Sequence, residues 1–493
     1  MQTVEGQGTS QPQSDRVWSI ETNGINAISD SERHGRPVEL FWVWCAANIS
    51  ILGVTYGTYL VTFYGLNLPQ ALLAGTLGAV LSFLLVGYVS LAGKLGGAPT
   101  LVLSRAAFGV VGNAIPTLIS YISLVGWETI LVALATLAAD TLLGRLGVET
   151  GTATLAISFV IIAAVTIAVG LLGHATIVRI QTWFTWAFAA LTVVFMILQL
   201  PEIDWGKVTS LPSGDLWSGF VGGMSVVMAG LGIGWVNAAA DYSRYLPRSS
   251  SSRSVVWWTT FGASVAPVLL IAFGVLLAAN NADLASSSNP IGDLAEPLPT
   301  WFLVPYLLVA VGGLVGGALL DIYSSGLNLL TLGVRLERYK SVAIDGILMV
   351  IGCVYILFRA NDFVTPFIGF LVTLGVPLAA WAAIFLVDVW TIRRRVGYDE
   401  RDLYDPNGRH GAFNPAGIGA FLVATFVGLG LVNSTSPVFS WVGYLLRFVG
   451  GRDGALGGSS IGLFVGFVVA GILYAVLSPL AARSRRSAAA TPR

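Results

Sequence analysis

Ala229-Gly230-Leu231-Gly232-Ile233-Gly234-Trp235-Val236-Asn237 lies inside an apolar run covering about 216–241, yet it is poorly suited to a regular helix. Glycine costs roughly 1 kcal/mol relative to alanine inside a helix, and an Asn side chain competes for backbone hydrogen bonds. A run near the start of the chain, about 39–63, has a similar weak point in Ala46-Ala47-Asn48-Ile49-Ser50-Ile51-Leu52-Gly53. Taken singly, each says little, because glycine is common in membrane helices. Their meaning depends on where the two runs fall in the whole chain.

Composition fixes the environment. Of 493 residues, 55% are hydrophobic and 11% charged, against about 25% charged in a soluble domain, so a water-soluble globule is excluded. Twenty-six basic and 26 acidic residues cancel, leaving no net field to recruit nucleic acid. Cys45 and Cys353 both lie in apolar runs and the chain has three histidines; neither a disulfide framework nor a metal centre is expected. No cofactor is expected.

A hydrocarbon core of about 30 Å needs about 20 apolar residues to cross it. Twelve runs qualify, at about 39–63, 67–92, 108–140, 153–173, 180–200, 216–241, 254–279, 301–333, 343–358, 363–390, 414–432 and 458–480; they are numbered as spans 1 to 12. The expected fold is therefore an all-α integral membrane protein of 12 transmembrane helices. Basic residues near span ends are retained in the cytoplasm. Placing both termini there leaves only Arg145, Lys207, Arg359, Arg447 and Arg452 outside, of 26 Lys and Arg. Residues 1–37 and 481–493 are polar and read as disordered cytoplasmic tails.

If spans 1–5 (residues 38–200) and 6–10 (residues 201–395) are repeats of opposite topology, the two weak points occupy equivalent helices, 1 and 6. Residues 396–480 then supply a loop and spans 11 and 12. Interruptions in corresponding helices point to a transporter's midplane site, where freed backbone lines a cavity. Two carboxylates strengthen the scheme. Glu128 is deep in span 3 and Asp321 deep in span 8, whereas Asp140, Asp241, Asp345 and Asp388 lie near expected span ends. An ionisable group at mid-membrane depth is expected to face a cavity or a partner; packing glue between helices is the plainer alternative. Asp321, Ser324, Ser325 and Asn328 form one polar stripe on span 8. Most tryptophans, Trp44 among them, sit at the expected headgroup belts; Trp127 and Trp235 do not, and an indole can stack on a planar ring.

The segment Gly234-Trp235-Val236-Asn237-Ala238-Ala239-Ala240-Asp241-Tyr242-Ser243-Arg244-Tyr245-Leu246-Pro247 resembles the end-of-helix-6 signature of the nucleobase:cation symporter-1 family. Gly93-Lys94-Leu95-Gly96-Gly97-Ala98-Pro99 followed by Ser104-Arg105-Ala106-Ala107-Phe108-Gly109 is similar to its helix 2–3 linker, and Gly126-Trp127 to its helix 3 element. The cytosine and purine permease branch is the most similar. The resemblance implies a leucine-transporter-type 5+5 inverted repeat plus two C-terminal helices, and symport of a nucleobase across the cell (plasma) membrane by alternating access. It also implies that Trp127 and Gly234-Trp235 sandwich the substrate ring, that Asp321 and Ser324 hydrogen-bond the base, and that Asn48 and Ser50 fall in the helix 1 break. Sodium-coupled members carry a Ser/Thr pair before the helix 8 polar residue; here the chain reads Val315-Gly316-Gly317-Ala318-Leu319-Leu320. A proton carried by Glu128 or Asp321 is therefore favoured over sodium.

The candidate substrate-binding set is Asn48, Ser50, Trp127, Glu128, Gly234, Trp235, Asn237, Asp321 and Ser324, with a small-molecule nucleobase and the lipid bilayer as partners. Competing readings are a sodium-coupled symporter of another planar heterocycle (hydantoin, allantoin, nucleoside or vitamin-like), a passive channel, and a membrane-embedded enzyme. The last lacks residues, because His34, His174 and His410 all fall in expected cytoplasmic segments. The charged loop Tyr398–Asn414 reads as a solvated turn or a regulatory contact.

Overall fold

The structure, a computed structural model, describes residues 16–287, 289–360 and 364–490. Among the described residues every regular element is helical. Ten helices are long and apolar enough to cross a membrane, and the bent pair Glu39–Asn48 and Leu52–Thr62 makes span 1. The shorter Pro415–Leu429 is span 11. Spans 2 to 5 are Leu68–Gly96, Ala114–Arg145, Thr152–Leu172 and His174–Gln199. Span 6 is Leu216–Ala238, and spans 7 to 9 are Ser252–Asn280, Thr300–Thr331 and Arg338–Phe358. Span 10 is Val364–Asp388 with a wide-turn extension Val389–Arg393, and span 12 is Gly462–Ala490. The N-terminal and opposite faces are named from the start of span 1.

Both anticipated breaks are present. The halves of span 1 meet at 56°, where Ile49 leaves helical geometry with ψ 74°. Asn48 causes part of this: its amide donates to the Trp44 carbonyl at 2.8 Å, satisfying that carbonyl from the side chain. Span 6 breaks at Leu231 (φ −113°, ψ −108°), then makes one turn over Gly232–Trp235 and a 3-10 turn over Val236–Ala238. Freed backbone groups find partners from neighbouring spans, as burial requires. Tyr56 donates its hydroxyl to Gly230 O at 3.2 Å, and Ser82 Oγ accepts from Gly232 N at 3.1 Å.

Spans 3 and 8 lie along each other, and span 7 packs on spans 1 and 2. Glycine permits the closest crossing: a Cβ on Gly57 would sit 2.2 Å from Ile271 O, and one on Gly274 2.0 Å from Val54 O. Spans 4 and 9 turn Ile157, Val160, Ile161, Ile347 and Ile351 outward, which is what a helix facing lipid tails does. Span 12 continues as helix through Ala490; residues 491–493 of the expected C-terminal tail lie outside the described residues.

The expected N-terminal tail is a packed segment over its described part; residues 1–15 lie outside the described residues. Ile28 N donates to Gly97 O at 2.7 Å and His34 N to Tyr245 O at 2.7 Å. Arg33 Nη1 donates to Lys94 O at 2.6 Å and Leu246 O at 3.1 Å. The exposed Asp30 takes a 2.8 Å bond from Arg248, whose guanidinium holds the Asp30 carboxyl below its ordinary range. Polar composition suggested disorder, but these polar groups saturate the backbone ends of spans 2 and 6, where apolar residues could not serve. Tyr398–Asn414 is docked through part of its length, while its Asp405-Pro406-Asn407 turn is exposed. Arg105 Nη1 donates to Leu403 O at 3.1 Å, Val110 N to Gly411 O at 2.9 Å, and Tyr404 donates its hydroxyl to Ile25 O.

Candidate functional site

The two sequence signatures meet. Asp241 Oδ1 accepts from Thr100 N at 2.7 Å and from Thr100 Oγ1 at 2.8 Å, so the carboxylate caps the linker helix Thr100–Phe108. Thr100 Oγ1 in turn accepts from Ala240 N at 2.9 Å. Ser243 Oγ donates to Ser90 O at 2.7 Å, across Gly93, where a Cβ would lie 2.2 Å from that hydroxyl. These bonds form a clamp that fixes the end of span 6 to span 2 and to the linker helix that follows it.

That clamp aims the span 6 break at span 3. Trp127 faces Gly234: a Cβ there would be 3.1 Å from the Trp127 indole nitrogen. Trp127 and Trp235 are almost fully buried, at 8% and 9% exposure. Each has an edge-on aromatic neighbour that sequence reading missed, Phe367 for Trp127 at 5.4 Å and Trp44 for Trp235 at 5.6 Å. Trp44 is a correction: expected at the headgroup belt, it is fully buried and also packs on Tyr242 at 5.5 Å. Its position one turn before Asn48, on the inner side of the break, was the available signal.

The polar stripe on span 8 faces inward throughout; Asp321, Ser324, Ser325 and Asn328 are all buried. Ser324 Oγ shares a 3.2 Å hydrogen bond with Tyr242 OH, which donates to Leu320 O at 2.6 Å. Ser120 on span 3 accepts from Asn237 Nδ2 at 2.6 Å and Asn328 Nδ2 at 2.7 Å, tying spans 3, 6 and 8 at one hydroxyl. Ser325 lies 3.4 Å from Glu128 Oε2 and 3.1 Å from Asp345 Oδ2, and Tyr121 donates to Asp345 Oδ1 at 2.5 Å. Asp345 is the second correction. Span 9 begins at Arg338 rather than near 343, so Asp345 is two turns inside it and fully buried. Glu128 Oε1, Asp321 Oδ2 and Asn237 Oδ1 are buried acceptors with no hydrogen-bond partner.

The structure therefore brings Trp127, Glu128, Gly234, Trp235, Asn237, Asp321 and Ser324 into one interior region. Asn48 and Ser50 stand apart from it in their contacts. Asn48 spends its amide on Trp44 O, and Ser50 lines a separate small cavity of about 20 Å³ with Thr192, Phe195, Leu270 and Tyr306.

Access differs at the two ends. On the opposite face, a cavity of about 500 Å³ opens between spans 1, 6 and 10 and the loop before span 12, lined by Tyr59, Phe63, Ser218, Thr365 and Asn433 among others. On the N-terminal face, Glu21 ties the ends of spans 5, 6, 8 and 9 into a closure. Its Oε1 accepts from Arg244 Nη2 at 2.7 Å, Tyr245 OH at 2.5 Å and Tyr323 OH at 3.2 Å. Its Oε2 accepts from His174 N at 2.9 Å and lies 3.7 Å from Arg338 Nε. The cavity remaining at that end is about 20 Å³.

Two broken helices in equivalent positions, a buried aromatic and polar region beside them, and unequal closure at the two faces define a membrane transporter of the inverted-repeat class, not an enzyme. The chain belongs to the family of permeases for cytosine/purines, uracil, thiamine and allantoin, whose pattern matches residues 27–450. It is 26% identical over 471 residues to the putative purine-cytosine permease YxlA of Bacillus subtilis, covering 93% of this chain and 96% of that protein. It is 24% identical to the purine-cytosine permease FCY2 of Saccharomyces cerevisiae, covering 94% and 86%. Its fold matches the closed, bromovinylhydantoin-bound structure of Mhp1, a nucleobase-cation-symport-1 family transporter, with a TM-score of 0.73 at 17% identity, covering 94% of this chain and 97% of that one.

Proposed function

We propose that the chain imports a nucleobase, cytosine or a purine, in symport with protons by alternating access, from a plasma-membrane position with both termini cytoplasmic. One observation carries the reading: Trp127 and Trp235 flank the span 6 break beside buried acceptors on Glu128, Asn237 and Asp321 that lack partners. A nucleobase is a flat ring with N–H donors on its edge. It rewards stacking by the indoles and satisfies acceptors that are otherwise costly to bury. The names of the similar permeases point to the same cargo.

Proton coupling rests on what faces the span 1 break. Gly313, Gly316 and Gly317 of span 8 turn toward the carbonyls of Ile49, Ala46 and Ala47, a Cβ on them lying 2.3, 3.8 and 3.6 Å away. Span 8 thus adds no side-chain oxygen to the freed carbonyls and the buried Gln181 Oε1 at that point, which leaves a hard cation short of hydroxyl ligands, whereas Glu128 and Asp321 can carry a proton. The open vestibule on one face and the Glu21 closure on the other suit an outward-facing stage of the cycle.

The test is uptake of labelled cytosine, adenine, hypoxanthine and uracil into proteoliposomes under imposed proton or sodium gradients. The expected result is accumulation of at least one base without sodium, abolished by a protonophore and insensitive to pH in Glu128→Gln or Asp321→Asn. Uptake that strictly requires sodium refutes the coupling; equilibration without accumulation indicates a passive channel instead.

A further inference from the structure

Asp345 is fully buried on the inner face of span 9, with Ser341, Val342, Gly346 and Met349, and the site as described gives it no task. Its surroundings are specific. Ser325 Oγ reaches Asp345 Oδ2 at 3.1 Å and Glu128 Oε2 at 3.4 Å, so one hydroxyl bridges two carboxyl groups, with the Ile322 carbonyl at 3.2 Å as a third acceptor for its proton. Tyr121 donates to the other Asp345 oxygen at 2.5 Å. The remaining titratable groups that face this cluster are Asp321 and Cys353, both acting on Glu128 or acted on by it. Among the described residues no Lys, Arg or His pairs with Glu128, Asp321 or Asp345. Glu128 Oε1, also fully buried, has no partner at all.

Two linked carboxyl groups without a counter-cation are costly as two anions in a dry interior; a shared proton removes that cost. The place of Asp345 gives the arrangement a direction. It stands two turns from the N-terminal-face end of span 9, and the two carboxyl groups are separated only by the pair of contacts through Ser325 Oγ. Arg338, two turns before Asp345, holds Glu21 of the closure.

We infer that Asp345 is a second proton station, receiving the coupling proton from Glu128 through the Ser325 hydroxyl and releasing it on the N-terminal face when the Glu21 closure opens. The transfer balances: the Glu128 carboxyl proton passes to Ser325 Oγ as the Ser325 proton passes to Asp345 Oδ2. Glu128 becomes a carboxylate, Asp345 a carboxylic acid, and Ser325 is unchanged. Tyr121 holds the Asp345 carboxyl in the orientation that keeps Oδ2 toward Ser325.

This inference rests on the proton symport proposed above, and the experiment separates the two. Wild type, Asp345→Asn and Ser325→Ala are reconstituted full-length, and each is assayed for cytosine counterflow, which needs no net proton movement, and for accumulation under a pH gradient. A gradient of one pH unit sustains about tenfold accumulation per proton carried. The expected result is that both variants keep counterflow while their accumulation falls from about tenfold to about onefold. Wild-type accumulation in Asp345→Asn overturns the relay, as does loss of counterflow in both variants, which would assign the cluster to packing. Failure of wild type to accumulate under a pH gradient instead overturns proton symport itself.

Discussion

Replacing Glu21 by alanine tests whether the N-terminal segment holds one face closed. In the native structure the Glu21 carboxylate is the acceptor for Arg244, Tyr245, Tyr323 and the His174 backbone N–H, and it lies beside Arg338. Arg244 and Arg338 are both buried. Removing one partner of a buried ion pair costs about 3–5 kcal/mol, because the remaining charge is left dry. Here the lower end applies, since backbone carbonyls still serve both cations: Gly24 O for Arg244, and Gly170 O, Leu171 O and Glu21 O for Arg338. At 1.4 kcal/mol per decade, about 3 kcal/mol raises the population with this face open by about 100-fold. Hydrogen–deuterium exchange of the full-length protein in detergent reads that change directly, in peptides spanning 20–34 and 238–250. Exchange there should quicken by about two orders of magnitude, while peptides from spans 11 and 12 stay at the wild-type rate. Equal exchange in wild type and Glu21→Ala, with the variant correctly folded, would show that the contacts do not hold the face shut.

Gly232→Ala should lower thermal stability by about 3 kcal/mol or more, because the new Cβ would lie 2.2 Å from the Ser82 carbonyl carbon; Gly419→Ala, with open space around it, is the control and should not lower the melting temperature. Ser120→Ala leaves Asn237 and Asn328 without an acceptor and should cost about 1–3 kcal/mol for each stranded amide, read as a lowered melting temperature in the same assay. Trp127→Ala and Trp235→Ala should weaken uptake at low substrate more than they alter membrane expression; normal transport by both would mean the ring stacks elsewhere. Trp44→Ala should raise the apparent KM by removing the edge-on support of Trp235, with Trp44→Phe restoring part of the loss.

The parts of this fold that were legible in the chain were those with a one-dimensional signature. Apolar run length set the spans, and glycine with Asn or Ser set both breaks. The inward stripe of span 8 followed from helical spacing. What was not legible depended on partners far apart in sequence. Trp44 looked like a belt tryptophan because it lies within two turns of the start of span 1, and only its packing on Trp235 and Tyr242, far away in sequence, sets it inside. Asp345 looked terminal because the charged Arg338 and Lys340 hid the true start of span 9. Residues 16–37 looked disordered because a strap that works by bonding helix ends is polar by necessity. Ser50 and Asn48 share the break with the rest of the candidate set, yet an unwound turn changes which way each side chain points, and no helical wheel applies there.

Span 8 joins the closure to the interior region through three consecutive residues. Tyr323 donates to Glu21 and accepts from Arg244 Nη2 at 3.0 Å, Ser324 meets Tyr242 of the span 6 signature, and Ser325 bridges Glu128 and Asp345. In a helix these side chains leave the axis about 100° apart, so one turn touches the N-terminal strap, the clamp and the acid cluster on three sides. Packed helices move as rigid units rather than stretching. A cargo that bonds Asp321 or Ser324, or a proton that alters the Glu128–Ser325 contact, therefore acts on the same rigid turn that holds Tyr323 against Glu21. The energetic link between filling the interior and releasing the strap needs no longer path than that turn.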